Sequence, residues 1–500
     1  MPTTTPCTRR PTNSCRPSSV RANRPLNAQR PDRPMPKNSS PLSSRRRLGR
    51  NAEIAKLGVK VGTNYATTAA RKLFASAERK EALDHSREMK NASEIAERLG
   101  NMKGALMKLG QMASYLDHGL PEPLRLALAE LQNNAPPMSG ALARRVVEEE
   151  FGKPVDELFV EWDDEPIASA SIGQVHRAII IDPNTNEQRA VAVKVQYPGV
   201  ADAIAADLKN ADLLGAVLAF GFKAFEPDEM VAEIKERLAE ELDYTREAKN
   251  QQEFADFYMG HPFVHVPHVH SHLCSARVIT SDLVSGSSWS ELMDQPQDVR
   301  DRAAEAIFRY VFRSLYRFRA FNGDPHPGNY IFHLEDPENV RVTFLDYGLV
   351  KHFTEDEMTV FKNMISAAAI NHDDAAFRQI IEDAGLLKPD APVTTDQIGD
   401  YFSHFYAPVR ESHVMHWTPE YSSSIVRHTF DRSSPIANYA SVPRAFVFIQ
   451  RINLGLYALL GELRANGNYR RVAEELWPMV NASPSTPLGE AEAAWLASHR

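Results

Sequence analysis

A two-lobed α+β fold, with a small antiparallel sheet set against a larger helical body, is the class this 500-residue sequence predicts. Three observations carry it. Residues 168–195 read as a β-hairpin, because small and alternating apolar residues flank the turn-rich Asp182-Pro183-Asn184-Thr185-Asn186. Residues 324–348 hold two polar loops, Asp324-Pro325-His326-Pro327-Gly328-Asn329 and Leu345-Asp346-Tyr347-Gly348, joined by a strand-like stretch. Beyond Thr354 the apolar residues take helical spacing over 361–369, 375–384 and 446–463.

Taken in chain order, the first fifty residues are rich in Arg, Pro and Ser and hold one acidic residue, Asp32. With no apolar periodicity they read as a disordered basic tail over 1–50. A transit peptide is the competing reading, but prolines at 17, 25, 31, 34, 36 and 41 oppose the amphipathic helix it needs. A helical extension is expected over 51–140. Within it, residues 54–76 carry Lys56, Lys60, Arg71 and Lys72 beside Leu57, Val61, Leu73 and Phe74, a pattern suited to packing on the lobes or to lying on an anionic membrane. A sheet-bearing lobe is expected over 141–285, where Val191-Ala192-Val193-Lys194-Val195 alternates as a half-buried strand does. Leu213 to Phe225 is the most apolar stretch, and no run of about 18 apolar residues exists to span a bilayer. Histidines 261, 265, 268, 270 and 272 raise a metal hypothesis, with His268, His270 and His272 on one face of a strand, yet no Cys or carboxylate set completes a zinc site. A helical lobe follows over 286–480, with Thr354 as the N-cap of a helix opening Glu355-Asp356-Glu357, and then a C-terminal tail over 481–500.

The polar loops carry the chemistry. Asp324, Asn329 five residues later, and Asp346 opening a second turn reproduce the order in which protein kinases place their catalytic Asp and two metal ligands. An Asp, an Asn carbonyl and a second Asp are hard oxygen donors of the kind Mg²⁺ takes while it bridges to phosphate. Lys194 stands where the kinase strand lysine reaches the α/β-phosphates. Before it, Ala168-Ser169-Ala170-Ser171-Ile172-Gly173-Gln174 takes the place of a glycine-rich phosphate loop, with small side chains that allow close approach but restrict the backbone. Together these pieces specify a two-lobed protein-kinase-like fold with ATP and Mg²⁺ as its cofactors.

These residues resemble the UbiB (AarF-like) atypical kinases associated with coenzyme Q biosynthesis, over roughly residues 90 to 350. Lys108-Leu109-Gly110-Gln111 is similar to that family's K-x-G-Q signature, Glu241-Leu242-Asp243 to its Glu-x-Asp motif, and the 168–171 stretch to its alanine-rich loop. Departures are Ser169 within the alanine run, Tyr347 for the usual Phe, Asn322-Gly323 before the catalytic Asp, and Asp282 where the inter-lobe linker often has Glu. The resemblance implies that Glu247 pairs with Lys194, that Lys108 is held over the active site in a network with Gln111, Glu241 and Asp243, and that Ala168, Ser169, Ala170, Ser171, Gln174 and Asp282 contact nucleotide. Helical geometry agrees in part: Lys108 and Gln111 share a face, whereas Glu241 and Glu247 lie about 120° apart and can serve different partners.

The next helix begins a few residues beyond Gly348, leaving little room for a peptide platform, and the catalytic loop lacks the Arg of H-R-D. Both features favour ATP hydrolysis or phosphorylation of a small molecule or lipid, with a quinone precursor as one candidate ligand, over a conventional protein kinase. A nucleotide-binding pseudokinase scaffold is a third reading, against which the intact metal set argues. The net charge of −8 gives no sign of nucleic-acid binding. Three cysteines, Cys7, Cys15 and Cys274, make no disulfide framework, so a reducing, cytoplasmic setting with a peripheral membrane contact is expected, or a mitochondrial one in a eukaryote.

Overall fold

The computed structural model describes residues 139–170, 172–183, 185–200, 242–323, 325–429, 434–440 and 444–499. The expected tail, the 54–76 helix, the Lys108-Leu109-Gly110-Gln111 segment and the 213–225 stretch lie outside these residues.

Helix α1 (Gly140–Phe151) buries Ala143, Val146 and Val147, spaced three and four apart, against one face of a four-stranded sheet. Strands β1 (Glu161–Ala170), β2 (Gly173–Ile181) and β3 (Gln188–Gln196) form an antiparallel meander. The β2–β3 turn is the expected one: Asp182 and Glu187 close it, and Asn186 takes φ 59°, a left-handed conformation that Asn tolerates. Helix α2 (Tyr244–Phe257) follows, and then β4 (Val264–His265) and β5 (Val278–Asp282). β5 completes the upper sheet in the order β1-β2-β3-β5.

In the lower lobe, helix α3 (Gln297–Arg313) is buried on nearly every side and forms the axis of the main core. It passes into a π-helical turn, Ser314–Phe318, and Arg319 at φ 53° then reverses the chain. Strand β6 (Ala320–Asn322) pairs with β9 (Val350–His352), and β7 (Tyr330–His333) with β8 (Arg341–Phe344). The helices after β9 are α4 (Glu355–Ile365), α5 (Asp374–Asp383), α6 (Thr395–Arg410), α7 (Pro419–Thr429), α8 (Arg444–Glu462), α9 (Tyr469–Leu476) and α10 (Pro487–Ser498).

Thr354 caps α4 as expected, in a capping box: its hydroxyl accepts from Glu357 N at 3.2 Å while Glu357 Oε2 accepts from Thr354 N at 2.8 Å. Thr354→Ala leaves one of these amides unsatisfied and is expected to cost about 1 kcal/mol in urea unfolding.

Two expectations need correction. His268, His270 and His272 do not share one strand. β4 spans two residues and runs parallel to β8 in the lower sheet, while residues 271–273 form a 3-10 turn. Alternation therefore does not hold across His268, His270 and His272. His265 and His333 instead meet over Thr343, whose hydroxyl lies 3.0 and 2.8 Å from their ring nitrogens. The segment set apart as a C-terminal tail contains α10, which buries Leu488, Glu492 and Trp495.

Candidate active site

Strand parity decides which side chains share the cleft. In the upper sheet Ala168 pairs with Val175, Val175 with Lys194 and Lys194 with Ile279, so these four lie in one row on one face. Ala170 belongs to the same face two residues on. Ser169, Gln174, Val195 and Val278 form the adjacent row, on the opposite face, which packs under α1. The serine that interrupts the alanine run is thus turned away from Lys194.

Gln174 is fully buried there, its amide nitrogen 2.9 Å from His176 Nε2, and His176 in turn reaches the Asp163 carbonyl at 2.8 Å and stacks on Trp162. Gln174 supports the hairpin from behind and does not face the Lys194 side. The Asp282 side chain likewise lies off the Lys194 face. It pairs with Val191, on the face opposite Lys194, and is held by Arg189 at 3.2 Å and His270 at 2.9 Å. Burial opposes its charge, but the bond from His270 and the Arg189 field outweigh it and lower its pKa.

Gly173 closes the β1–β2 turn where the backbone must approach closely. A Cβ there would clash with the Val195 carbonyl and stand 3.0 Å from the Tyr244 hydroxyl.

Lys194 Nζ lies 2.6 Å from Glu247 Oε1 and 4.9 Å from the centre of the Tyr244 ring. Glu247 is 5% exposed. Burial disfavours the ammonium, but Glu247, Tyr244 and Asp346 outweigh it and raise the Lys194 pKa well above the usual lysine value. The helix carrying Glu247 is fixed at its start by Asp243, whose carboxylate caps α2 by accepting from Thr245 N at 3.0 Å.

Across the cleft, Asp346 Oδ1 accepts from Gly348 N at 2.9 Å. The Cβ position of Gly348 lies 3.3 Å from Asp346 Oδ1 and 3.7 Å from Glu247 Oε2, so the Asp-Tyr-Gly turn sits directly beside the Lys194–Glu247 pair. Its backbone is pinned from both sides. Asn322 Nδ2 donates to the Asp346 carbonyl at 2.6 Å, and Asn250 Nδ2 donates to the Tyr347 carbonyl at 3.1 Å. Tyr347 is fully buried against Phe254, and its hydroxyl meets that of Tyr310 at 3.2 Å, which gives the extra oxygen of Tyr over Phe a partner. Asn329 ends a 3-10 turn, Pro327–Asn329, and its carbonyl accepts from Leu345 N at 3.0 Å, which ties the two polar loops together.

Among the described residues Asp346 has no ion-pair partner, and only its Oδ1 is committed to a hydrogen bond. A carboxylate oxygen without a hydrogen bond, on a turn tied to the Asn329 loop, fits a divalent cation that also binds phosphate. Lys108, Gln111, Ser171, Glu241 and Asp324 lie outside the described residues.

Asn250, Tyr310 and Gly455 support the site without a sequence signal, because each lies far from the motif it supports, and Asn322, noted in the sequence only as a departure beside the catalytic Asp, holds the Asp346 carbonyl. Gly455, midway along α8, receives Pro325 of the catalytic loop, and a Cβ there would clash with the proline ring. Gly455→Val is expected to shift that loop and lower any nucleotide turnover about a hundredfold, with nucleotide affinity less affected. Steady-state kinetics beside a binding titration checks this.

Residues 130–381 match the family model described as an ABC1 atypical kinase-like domain. The chain is 32% identical over 280 residues to the rat protein named atypical kinase COQ8B, mitochondrial, covering 56% of this chain and 52% of that one. It is 28% identical to yeast atypical kinase COQ8, mitochondrial, over 58% of this chain and 57% of the relative, and 30% identical to a Pseudomonas fluorescens probable protein kinase UbiB, over 56% and 52%. The chain thus spans about half the length of these curated relatives. A solved structure of Mycobacterium tuberculosis Rv3197 with erythromycin superposes with TM-score 0.57 at 30% identity, covering 80% of this chain and 98% of that one.

Proposed function

The chain belongs to the ABC1 atypical kinase-like family, and from that premise we propose that it is an atypical kinase or ATPase that binds Mg-ATP between its lobes and supports isoprenoid-quinone or related lipid metabolism. The observation that carries this reading is the 2.6 Å Lys194–Glu247 ion pair beside Asp346. Lys194, held charged, engages the α- and β-phosphates, and Glu247 fixes its ammonium in place. Ala168 and Ala170, on the Lys194 face, line the phosphate side of the hairpin, with Ser169 and Ser171 lending backbone amides. Asp346 and Asn329 hold Mg²⁺, which when bound neutralises charge developing on the phosphates. Asp324 accepts the proton of the attacking hydroxyl or water. The family resemblance assigns Lys108, Gln111 and Glu241 a regulatory role at this site.

Only β9 and a short turn separate Gly348 from the capped start of α4, so the segment that seats peptides in protein kinases has no counterpart here. That favours water, a small molecule or a lipid as acceptor. The names of the relatives, atypical kinase COQ8 and probable protein kinase UbiB, support the quinone context. No helix among the described residues is long and apolar enough to cross a membrane, and a peripheral contact is the form of membrane association proposed.

The test is ATP turnover by the full chain with and without Mg²⁺, and with and without anionic liposomes. Mg²⁺-dependent turnover that rises on liposomes is expected. Absence of both nucleotide binding and turnover under all four conditions would overturn the reading, and efficient transfer of labelled phosphate to a protein would replace it with a conventional protein kinase.

A further inference from the structure

The helical lobe holds a partly open cavity of about 150 Å³ between α3, α6 and α8, lined by none of the residues of the Lys194 cleft. Its wall is mostly aromatic, including Phe312, Tyr316, Phe405, Tyr406 and Trp477. Two of its lining residues do not fit an apolar core. Gln450 and Asn453, one turn apart on α8, are both half-buried at the cavity, and neither amide has a hydrogen-bond partner among the described residues. The Asn453 carbonyl oxygen is also shielded from solvent.

An amide left unpaired among aromatic rings destabilises a fold, and packing alone would favour Leu or Met at both positions. Apolar cavities that carry a few convergent polar groups are the usual form of a small-molecule site. A dry cavity of this size holds a single aromatic ring.

We propose that this cavity is a binding site for a small aromatic molecule bearing one oxygen, its ring against Phe312, Phe405 and Trp477 and its oxygen hydrogen-bonded by Gln450 and Asn453. The site is separate from the nucleotide cleft, and the proposal does not depend on kinase activity. Two connections nevertheless lead from it to the catalytic loop. Tyr316 belongs to the π-helical turn that runs through Arg319 into β6 and so to Gly323, and π-helical turns recur where a helix is adapted to function. Helix α8, which supplies Gln450 and Asn453, also supplies Gly455, on which Pro325 packs. Occupancy therefore bears on both the segment entering the catalytic loop and the surface beneath it.

The test uses benzyl alcohol and toluene, which share the ring and differ by the hydroxyl, titrated calorimetrically into the full chain. Benzyl alcohol is expected to bind about fivefold more tightly than toluene, the difference one hydrogen bond makes. Asn453→Leu and Gln450→Leu, which match volume without polarity, should abolish that preference and leave toluene binding. An unaltered melting temperature in these variants, or a raised one, confirms folding. Failure of both ligands to bind, equal affinity for the two in the wild type, or a preference that survives both substitutions would overturn the proposal. None of these outcomes bears on the turnover experiment above.

Discussion

Asp346→Asn is expected to abolish nucleotide turnover, by about 10³-fold or more, while leaving the fold intact. The substitution keeps shape and the Oδ1 that accepts from Gly348 N at 2.9 Å, so the Asp-Tyr-Gly turn retains its internal bond. Asn322 and Asn250 still hold the backbone of that turn through the carbonyls of Asp346 and Tyr347. What is lost is the negative charge, and with it both the ligand for Mg²⁺ and part of the field that keeps Lys194 protonated. Turnover should therefore collapse at an unchanged melting temperature. Near wild-type turnover by this variant would remove the kinase-like reading of the cleft. Asn329→Ala should have a smaller effect, since it removes a neutral ligand and no charge.

What could be read from the sequence divides along a physical line. Local signals were legible. The alternation of 191–195, the turn at 182–186 and the Thr354 cap each depend on a few neighbouring residues, and all three appear in the structure. The two-lobed α+β class followed from them. The face that each residue presents was legible only with register in hand. Ser169 and Asp282 sit in motifs that match, yet the β1-β2-β3-β5 ladder turns both away from Lys194, and nothing in a linear sequence fixes that pairing. Long-range supports were the least legible. Asn250 meets Tyr347 across 97 positions, and Gly455 meets Pro325 across more than a hundred, so no local pattern marks either. The same limit explains α10. Its sequence, Pro487 to Ser498, is rich in Ala and short of the apolar stripe that marks a packed helix, because what docks it is charge.

That docking leads to the largest expected effect on stability, that of Glu492→Ala. Glu492 is 1% exposed and accepts from two arginines of α3: Arg309 at 3.0 Å, and Arg313 at 2.9 and 3.1 Å. Arg309 is itself fully buried and further bonded to Glu305 at 2.7 Å and Glu475 at 2.8 Å. Deleting one carboxylate leaves two guanidinium groups without their shared acceptor in a water-poor interior, an arrangement that costs about 3 to 5 kcal/mol. Glu492→Gln keeps the volume and one acceptor oxygen and should cost less. The pH dependence has a defined sign. Burial opposes the Glu492 charge, but His261, Arg313 and Arg309 outweigh it and hold the carboxyl well below the usual range, so its contribution is present above about pH 4.5 and is lost as the solution is made more acid. His261 acts in the same direction from a higher pH. Its Nδ1 accepts from Val264 N at 3.1 Å, which places the proton of the neutral ring on Nε2, 3.7 Å from Glu492 Oε1. Burial is the main cause that lowers its pKa, so the unfolded chain takes up the proton first and stability falls below about pH 6.5. Urea denaturation from pH 7 to about pH 2 should show the wild type losing stability in two stages. His261→Asn should shrink the first stage, to which His176, His265, His272 and His333, also lowered by burial, contribute, and Glu492→Gln should shrink the second. A Glu492→Gln variant as stable as the wild type at pH 7, with an unchanged acid slope, would mean that α10 is held by Leu488 and Trp495 alone.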